Sequence, residues 1–478
     1  MSDSTKPTAS SHDAHVTGDM LNRSMSVWHS FTLGFAVVSP VAGLYAIIGV
    51  QTVVAGGGWF AALAVCLLMQ LLVATVYAEL SSQFPIAGGA YKWARQLGGV
   101  IAGQYAGVIY ICSTIAMVTT TAYTGGFWLA TFLGLPDAGG GMMVLWGALF
   151  LFLCTLLNLA PVSIFNLVIK LGVYAEVVGS LGVALLLFIF FRQHPVLELF
   201  QHMGTGTAPS EMSAFLAALA ISGWAFIGFD ACSTTAEETH QPKRMVPRAI
   251  FMSLLVVGTV VLFNSASLIL AFDHDTLRNS SHTSDPVTPL IANSIGDWFE
   301  KPFLAIVMTA FLACGASMVK YTSRIVYSMA REGNMPALLS QVTTSKTPRN
   351  AILFTVLLAG CGLIFGLNDD AVATIIAFGT GGLYAMFTFT TGFGLFARLT
   401  GRWNPELGEL KLGIYGLIIN VLAFIWSLFE LINIAWPRPY AISADAPWWQ
   451  LWATPLVLGT ILTITTLYIL GKKWTAAK

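Results

Sequence analysis

Long apolar blocks, each about the length of a bilayer-crossing helix, alternate with short polar connections along this chain. A hydrocarbon core about 30 Å thick takes roughly 20 helical residues per crossing. On that measure the pattern predicts twelve spans, near residues 30–53, 60–80, 99–126, 142–162, 166–191, 213–236, 248–271, 302–325, 350–368, 371–397, 412–434 and 449–471. The first 25 residues, rich in Ser, Thr, His and Asp, read as a polar tail. The apolar run after them is already of spanning length and has no small-residue processing site, so a cleavable secretory signal is not expected.

Composition agrees with the pattern. Apolar residues make up 56% of the chain and charged residues only 10%, against about 25% in soluble domains. The protein therefore reads as an all-α polytopic membrane protein. With 23 basic and 23 acidic residues the net charge is zero, which leaves no basic domain for nucleic acid. Most lysines and arginines fall on one side if both termini are cytoplasmic, as the positive-inside rule expects. Arg192, Arg278, Lys301 and Arg438 then lie outside, and Lys320 sits within the eighth span. The six cysteines are dispersed through apolar segments without paired spacing, so no disulfide framework, metal site or other cofactor is expected.

Two spans are interrupted. The first contains VVSPVAGLYAIIG, residues 37–49, in which Pro40 removes a backbone donor and Gly43 eases departure from helical geometry. The sixth contains ISGWAFIGFDACSTTAEET, with Gly223, Gly228 and an intramembrane aspartate, Asp230. Freed backbone groups are costly in lipid unless protein, water or a ligand satisfies them, so each break is either a packed kink or a binding site. Breaks at corresponding positions in two halves point to a transporter with its substrate at midplane. A half-helix starting near Gly43 would offer N–H groups to a carboxylate, while the sixth span would offer carbonyls and Asp230 to an ammonium group. A zwitterion satisfies both.

Other charges sort by depth. Glu237 and Glu238 follow the sixth span, close in sequence to Lys243, Arg244 and Arg248. With Arg324 and Arg331 they form either a charged cytoplasmic gate or a solvated loop. Glu176, deep in the fifth span, and Lys320 are the interior pair; Glu79 and Lys170 lie nearer helix ends, where they snorkel or cap. No filter-like pore pattern, catalytic motif or soluble output domain is evident, which argues against a channel, an intramembrane enzyme and a sensor.

Four motifs carry a family resemblance. SPVAGLY in the first span, FPIAGGAYKWARQLGG at 84–99, GFDACSTTAEETHQPKRMVPRAI at 228–250 and SRIVYSMAREGNMP at 323–336 are similar to those of the amino acid, polyamine and organocation permease superfamily. The nearest branch is that of amino acid, choline and GABA permeases. The resemblance implies a LeuT-like fold with two inverted five-helix repeats, residues 28–197 and 213–397. Helices 1 and 6 are then discontinuous, residues 1–27 form a cytoplasmic tail, and 398–478 form the peripheral helices 11 and 12. It implies substrate contacts at Ser39, Pro40, Val41, Ala42 and Gly43, and at Phe226, Gly228 and Asp230, with Trp224 or Phe226 as a thin gate. Relatives often carry Gly-Ser-Gly-like residues at the first break where this chain has Pro-Val-Ala-Gly, so substrates without an α-carboxylate stay open. In related permeases a cation or a basic side chain occupies a site between helices 1, 5 and 8. By that resemblance Lys320 would replace sodium, with Glu176 as its partner or as the proton carrier; a structural ion pair, or sodium on Thr322 and Ser323, is the alternative. The resulting expectation is a multi-pass permease of the plasma membrane, most simply a bacterial inner membrane. It would import a small amino acid or similar zwitterion with a proton, or alternatively an amine, GABA, choline or polyamine, or work as an exchanger. Its partners are that small solute, protons and membrane lipid.

Overall fold

The computed structural model describes residues 27–476 apart from 57, 136–139, 201–205, 273–275, 277–286, 345, 368 and 442–446. The N-terminal tail, Arg278 and Lys478 lie outside the described residues. Regular structure among those residues is helical, as lipid requires of a chain that must satisfy its backbone within each segment.

The first span is three short helices, α1 (Val27–Val38), α2 (Pro40–Tyr45) and α3 (Ile48–Ala55), with α3 bent by 46° from the preceding pair. Next come α4 (Trp59–Gln83), α5 (Ala90–Phe132), α6 (Gly140–Leu159) and α7 (Val162–Tyr174). A π-helical turn, Ala175–Ser180, joins α7 to α8 (Leu181–Phe190). The sixth span starts as α9 (Glu211–Ser222), tightens to a 3-10 turn at Gly223–Phe226 and resumes as the four-residue α10 (Ala231–Thr234). The remainder comprises α11 (Pro242–Ala271), α12 (Thr288–Ile295), α13 (Glu300–Arg331), α14 (Arg349–Gly362), α15 (Asp369–Leu399), α16 (Tyr415–Ala435) and α17 (Ala453–Ala476).

Ten of the described helices are long and apolar enough to cross a membrane, eleven if the bent first pair is one span. The helix α15 has the length for a crossing as well. The twelve spans expected from sequence are reached only if α15 also crosses. One boundary differs from expectation. The third span was expected to begin near residue 99; instead helix runs from Ala90, and Gly99, at φ 89°, breaks it between a basic segment with Lys92 and Arg95 and the crossing portion.

Close packing rests on small residues, because lipid supplies no hydrophobic drive between helices. A Cβ at Gly126 would meet the backbone of Gly147 on α6, and one at Gly172 would meet Ala313 on α13. Leu167, Ile189, Phe190, Leu357, Ile418 and Leu467 stay exposed, as the lipid-facing sides of α7, α8, α14, α16 and α17 should. Lys92, Arg95, Lys243, Arg244, Arg331 and Lys411 gather at one end of the bundle, here termed the basic face. Near it Glu79 is buried rather than snorkelling. It pairs with Arg398, which also lies 3.8 Å from the Trp403 ring and donates to Asn420, so one ionic contact ties α4, α15 and α16 together.

Candidate functional site

The first break sits at Ser39. Its φ is +47°, a left-handed conformation for a residue that precedes proline. Pro40 then takes the first helical position, where its missing N–H costs nothing. The Ser39 hydroxyl accepts from the Ala42 N–H at 3.1 Å, and the Ser39 carbonyl accepts from Gly43 N–H at 2.8 Å. The half-helix therefore begins at Pro40, not near Gly43, and the Gly43 N–H is already engaged. Gly43 serves close approach instead: a Cβ there would stand 3.4 Å from the Ala225 Cα of the other broken span.

The second break runs through Ile227 in extended geometry and Gly228 at φ +91°. A Cβ on Gly228 would lie 2.6 Å from the Val37 side chain, so glycine is required for both conformation and space. Gly228→Ala adds strain of about 1–3 kcal/mol and overpacking besides. Gly99 also has positive φ but nothing near a would-be Cβ, which makes Gly99→Ala the control. Thermal unfolding in detergent is expected to show a clearly lower midpoint for Gly228→Ala than for Gly99→Ala; equal midpoints would mean that close approach to Val37 is unimportant.

Between the breaks lies a central cavity of about 10 Å³, room for about one water. Val37, Val38, Ala42 and Gly43 line it from the first span, Trp224 and Ile227 from the sixth, Met117, Thr121 and Thr124 from α5, and Phe311, Cys314 and Met318 from α13. Of the expected substrate residues, Ala42, Gly43 and Trp224 line this cavity. Ser39, Pro40, Val41, Phe226, Gly228 and Asp230 do not; all are buried behind it.

Asp230 is held elsewhere. Tyr110 on α5 and Tyr321 on α13 both donate their hydroxyls to Asp230 Oδ2, the latter at 2.8 Å, while Oδ1 has no partner. The tyrosine pair carried no signal in the sequence, since tyrosine is ordinary in membrane helices. A carboxyl bonded in this way is tied to protein groups and does not face the cavity.

The expected interior pair is also corrected. Lys320 does not meet Glu176: its ammonium lies 3.9 Å from Glu238 and 4.8 Å from the Phe165 ring centre. Glu176, in the π-turn and 1% exposed, accepts from the Ser39 hydroxyl at 2.5 Å through Oε1, and Oε2 has no partner. Among the described residues no cation lies within salt-bridge distance of it. The reason is geometric: Lys320 on α13 faces α7 and the basic face, whereas Glu176 faces the first break. Ser39 thus joins the helix cap to a buried carboxyl on the fifth span, a link between two breaks in regular helix.

At the basic face the four expected gate residues meet. Glu238 accepts from Arg324 Nε at 2.9 Å, and Glu237 takes a bidentate pair of hydrogen bonds from Arg331 at 2.7 and 2.8 Å. Glu237 also accepts from the Ala87 N–H in the α4–α5 turn. Sequence reasoning missed Glu332, which pairs with Lys92 and Arg95 and accepts from Tyr91. These contacts cross-link the sixth span, α13 and the start of α5 into one ionic layer under the cavity.

Comparison with known proteins agrees with this architecture. A family model described as amino acid permease matches residues 26–462. The amino-acid permease BAT1 of Arabidopsis thaliana is 24% identical over 94% of this chain and 91% of its own length. A choline transporter of Saccharomyces cerevisiae is 23% identical, covering 89% of this chain and 78% of its own. The low-affinity putrescine importer PlaP of Escherichia coli is 24% identical, covering 87% and 93%. The chain belongs to the amino acid permease family, a family of membrane transporters within the amino acid, polyamine and organocation superfamily, and is not an enzyme.

Proposed function

We propose that this protein is a secondary active transporter that carries a small amino acid or similar zwitterion through the plasma membrane by alternating access, coupled to a proton. The observation that carries this reading is the cavity shared by two broken helices, closed off by an ionic layer at one end. A small closed cavity between two broken helices is what a carrier presents between its open states. The basic face is taken as cytoplasmic, which puts both termini inside and follows the positive-inside rule. Residues 28–197 and 213–397 would be the inverted repeats, with the later helices peripheral.

In the cycle, the substrate enlarges the cavity and sits against Ala42, Gly43 and Trp224. Its carboxylate lies toward the first turn of α2 and its ammonium toward the carbonyls of the sixth span. Asp230, held by two tyrosines, orients that break. Glu176 is the proton carrier: protonation changes what Ser39 bonds to, and Ser39 caps α2. Lys320 acts with Arg324 on Glu238 in the gate. Relatives include proteins named for choline and putrescine, so an organic cation is the second reading.

Ligand-dependent thermal shift of the purified protein separates the two. Stabilisation by alanine, serine or leucine, and none by choline or putrescine, is expected from mass-action linkage. Stabilisation by the cations alone would overturn the zwitterion reading.

A further inference from the structure

At the basic face a second cavity, of about 430 Å³, opens between α4, the start of α11 and the connection from α15 to α16. Its volume is in the roughly 300–1,000 Å³ range of small-molecule sites, and it shares no lining residue with the central cavity. The α11 wall changes character with depth. Lys243, Arg244 and Arg248 line it in the first two turns of the helix, and Phe251 and Met252 line it in the third. Arg244, Arg248 and Met252 are four residues apart and share one face. Met252 is 44% exposed within a helix of spanning length, so that face ends in lipid-facing surface.

The opposite wall, Glu409, Leu410 and Leu412, is fastened to the helices. Ser82 on α4 accepts from the N–H groups of Glu409 and Leu410, and Glu79 accepts from that of Leu412 at 3.2 Å. Lys243 donates to the Leu407 carbonyl at 2.9 Å. The cavity is therefore preformed. Its cations are not neutralised: Arg244 and Arg248 are exposed, and among the described residues their side chains form no hydrogen bond or ion pair. Glu409 is the acid on the other wall, and it too makes no ion pair among the described residues.

We infer that this cavity holds the headgroup of an anionic phospholipid from the leaflet at the basic face. The phosphate docks on Arg244 and Arg248, close to the positive end of α11. A glycerol hydroxyl of the headgroup donates to Glu409, and an acyl chain runs along Phe251 and Met252. Lipid fits better than a free anion because the cations lead directly into an apolar surface that faces the bilayer, so a single ligand satisfies both. Three cations against one acid favour an anionic headgroup over a zwitterionic one. The inference goes beyond the transport reading and does not depend on which solute is carried.

Native mass spectrometry and thermal unfolding of the full-length protein, delipidated in detergent, test this with dioleoyl phosphatidylglycerol, dioleoyl phosphatidylethanolamine and glycerol 3-phosphate as ligands. Phosphatidylglycerol is expected to bind and raise the unfolding midpoint, and phosphatidylethanolamine to bind at least about tenfold more weakly. Arg244→Gln and Arg248→Gln should each weaken phosphatidylglycerol roughly tenfold, the loss of one charge-assisted contact. Lys411→Gln removes a charge from the same face but outside the cavity, and should leave that affinity unchanged. Equal binding of the two lipids by the parent protein, or an equal loss in Lys411→Gln, would reduce the site to ordinary lipid contact and overturn the inference. Displacement of phosphatidylglycerol by an equal concentration of glycerol 3-phosphate would make it a site for soluble phosphates and overturn the lipid assignment.

Discussion

Glu238→Ala opens the basic face. Glu238 neutralises Arg324 at 2.9 Å and lies 3.9 Å from Lys320, in a layer that water barely reaches. Removing one partner of a buried pair costs about 3–5 kcal/mol, because the remaining charges stay desolvated. That is enough to move the closed state from dominant to rare. The reporter is native: Cys314 lines the central cavity and is 1% exposed. With Cys112 and Cys361 replaced by serine, a membrane-impermeant maleimide applied from the basic face should label Cys314 at least about tenfold faster in Glu238→Ala than in the parent. An unchanged labelling rate would mean that the layer is not a gate. Burial pushes the Glu238 carboxyl up, but Arg324 and Lys320 more than offset it and hold it below the ordinary carboxylate range. The closure it contributes is therefore complete at neutral pH and fades only as pH falls through that depressed value. Once rates are normalised to an exposed thiol at the same pH, the parent should accordingly show no gain in Cys314 accessibility between pH 7 and pH 5.

Glu176→Gln separates movement from coupling. The glutamine keeps the volume and still accepts a hydrogen bond from Ser39, so the cap on α2 survives, but it cannot carry a proton. With one proton per substrate, a gradient of one pH unit supports about tenfold accumulation. In Glu176→Gln that accumulation should fall to the equilibrative level of one, while exchange of labelled for unlabelled substrate continues. Ser39→Ala removes the hydrogen-bond partner that Glu176 has among the described residues, together with the cap, and should slow both processes. Accumulation by Glu176→Gln at the parent level would remove Glu176 from coupling.

Helix positions and the two breaks were legible in the sequence because lipid imposes one strong constraint: every crossing needs about twenty apolar residues. Departures such as Pro40 and Asp230 stand out against that background. The ionic residues of the basic face were legible for the same reason, since charge is rare and clusters at helix ends. What sequence could not supply was rotation about helix axes. Lys320 and Glu176 both lie inside spans, and only the rotation of α13 decides that Lys320 turns to Glu238 and leaves Glu176 to Ser39. The same limit hid the Tyr110 and Tyr321 hydroxyls on Asp230. The π-turn that carries Glu176 leaves no pattern in AEVVGS. Glu430 was findable, as an acid deep in an apolar run, whereas the Asn433 amide that donates to it was not.

The central claim is that a solute moves through the cavity between the two breaks, driven by protons. Uptake of labelled alanine, serine and leucine into proteoliposomes, with an imposed inward proton gradient and no sodium, tests it most directly. At least one of these should accumulate above its external concentration, collapse when the gradient is dissipated, and fail to accumulate in Glu176→Gln. Accumulation that needs sodium, or a protein that moves none of these while carrying choline or putrescine, would contradict the account.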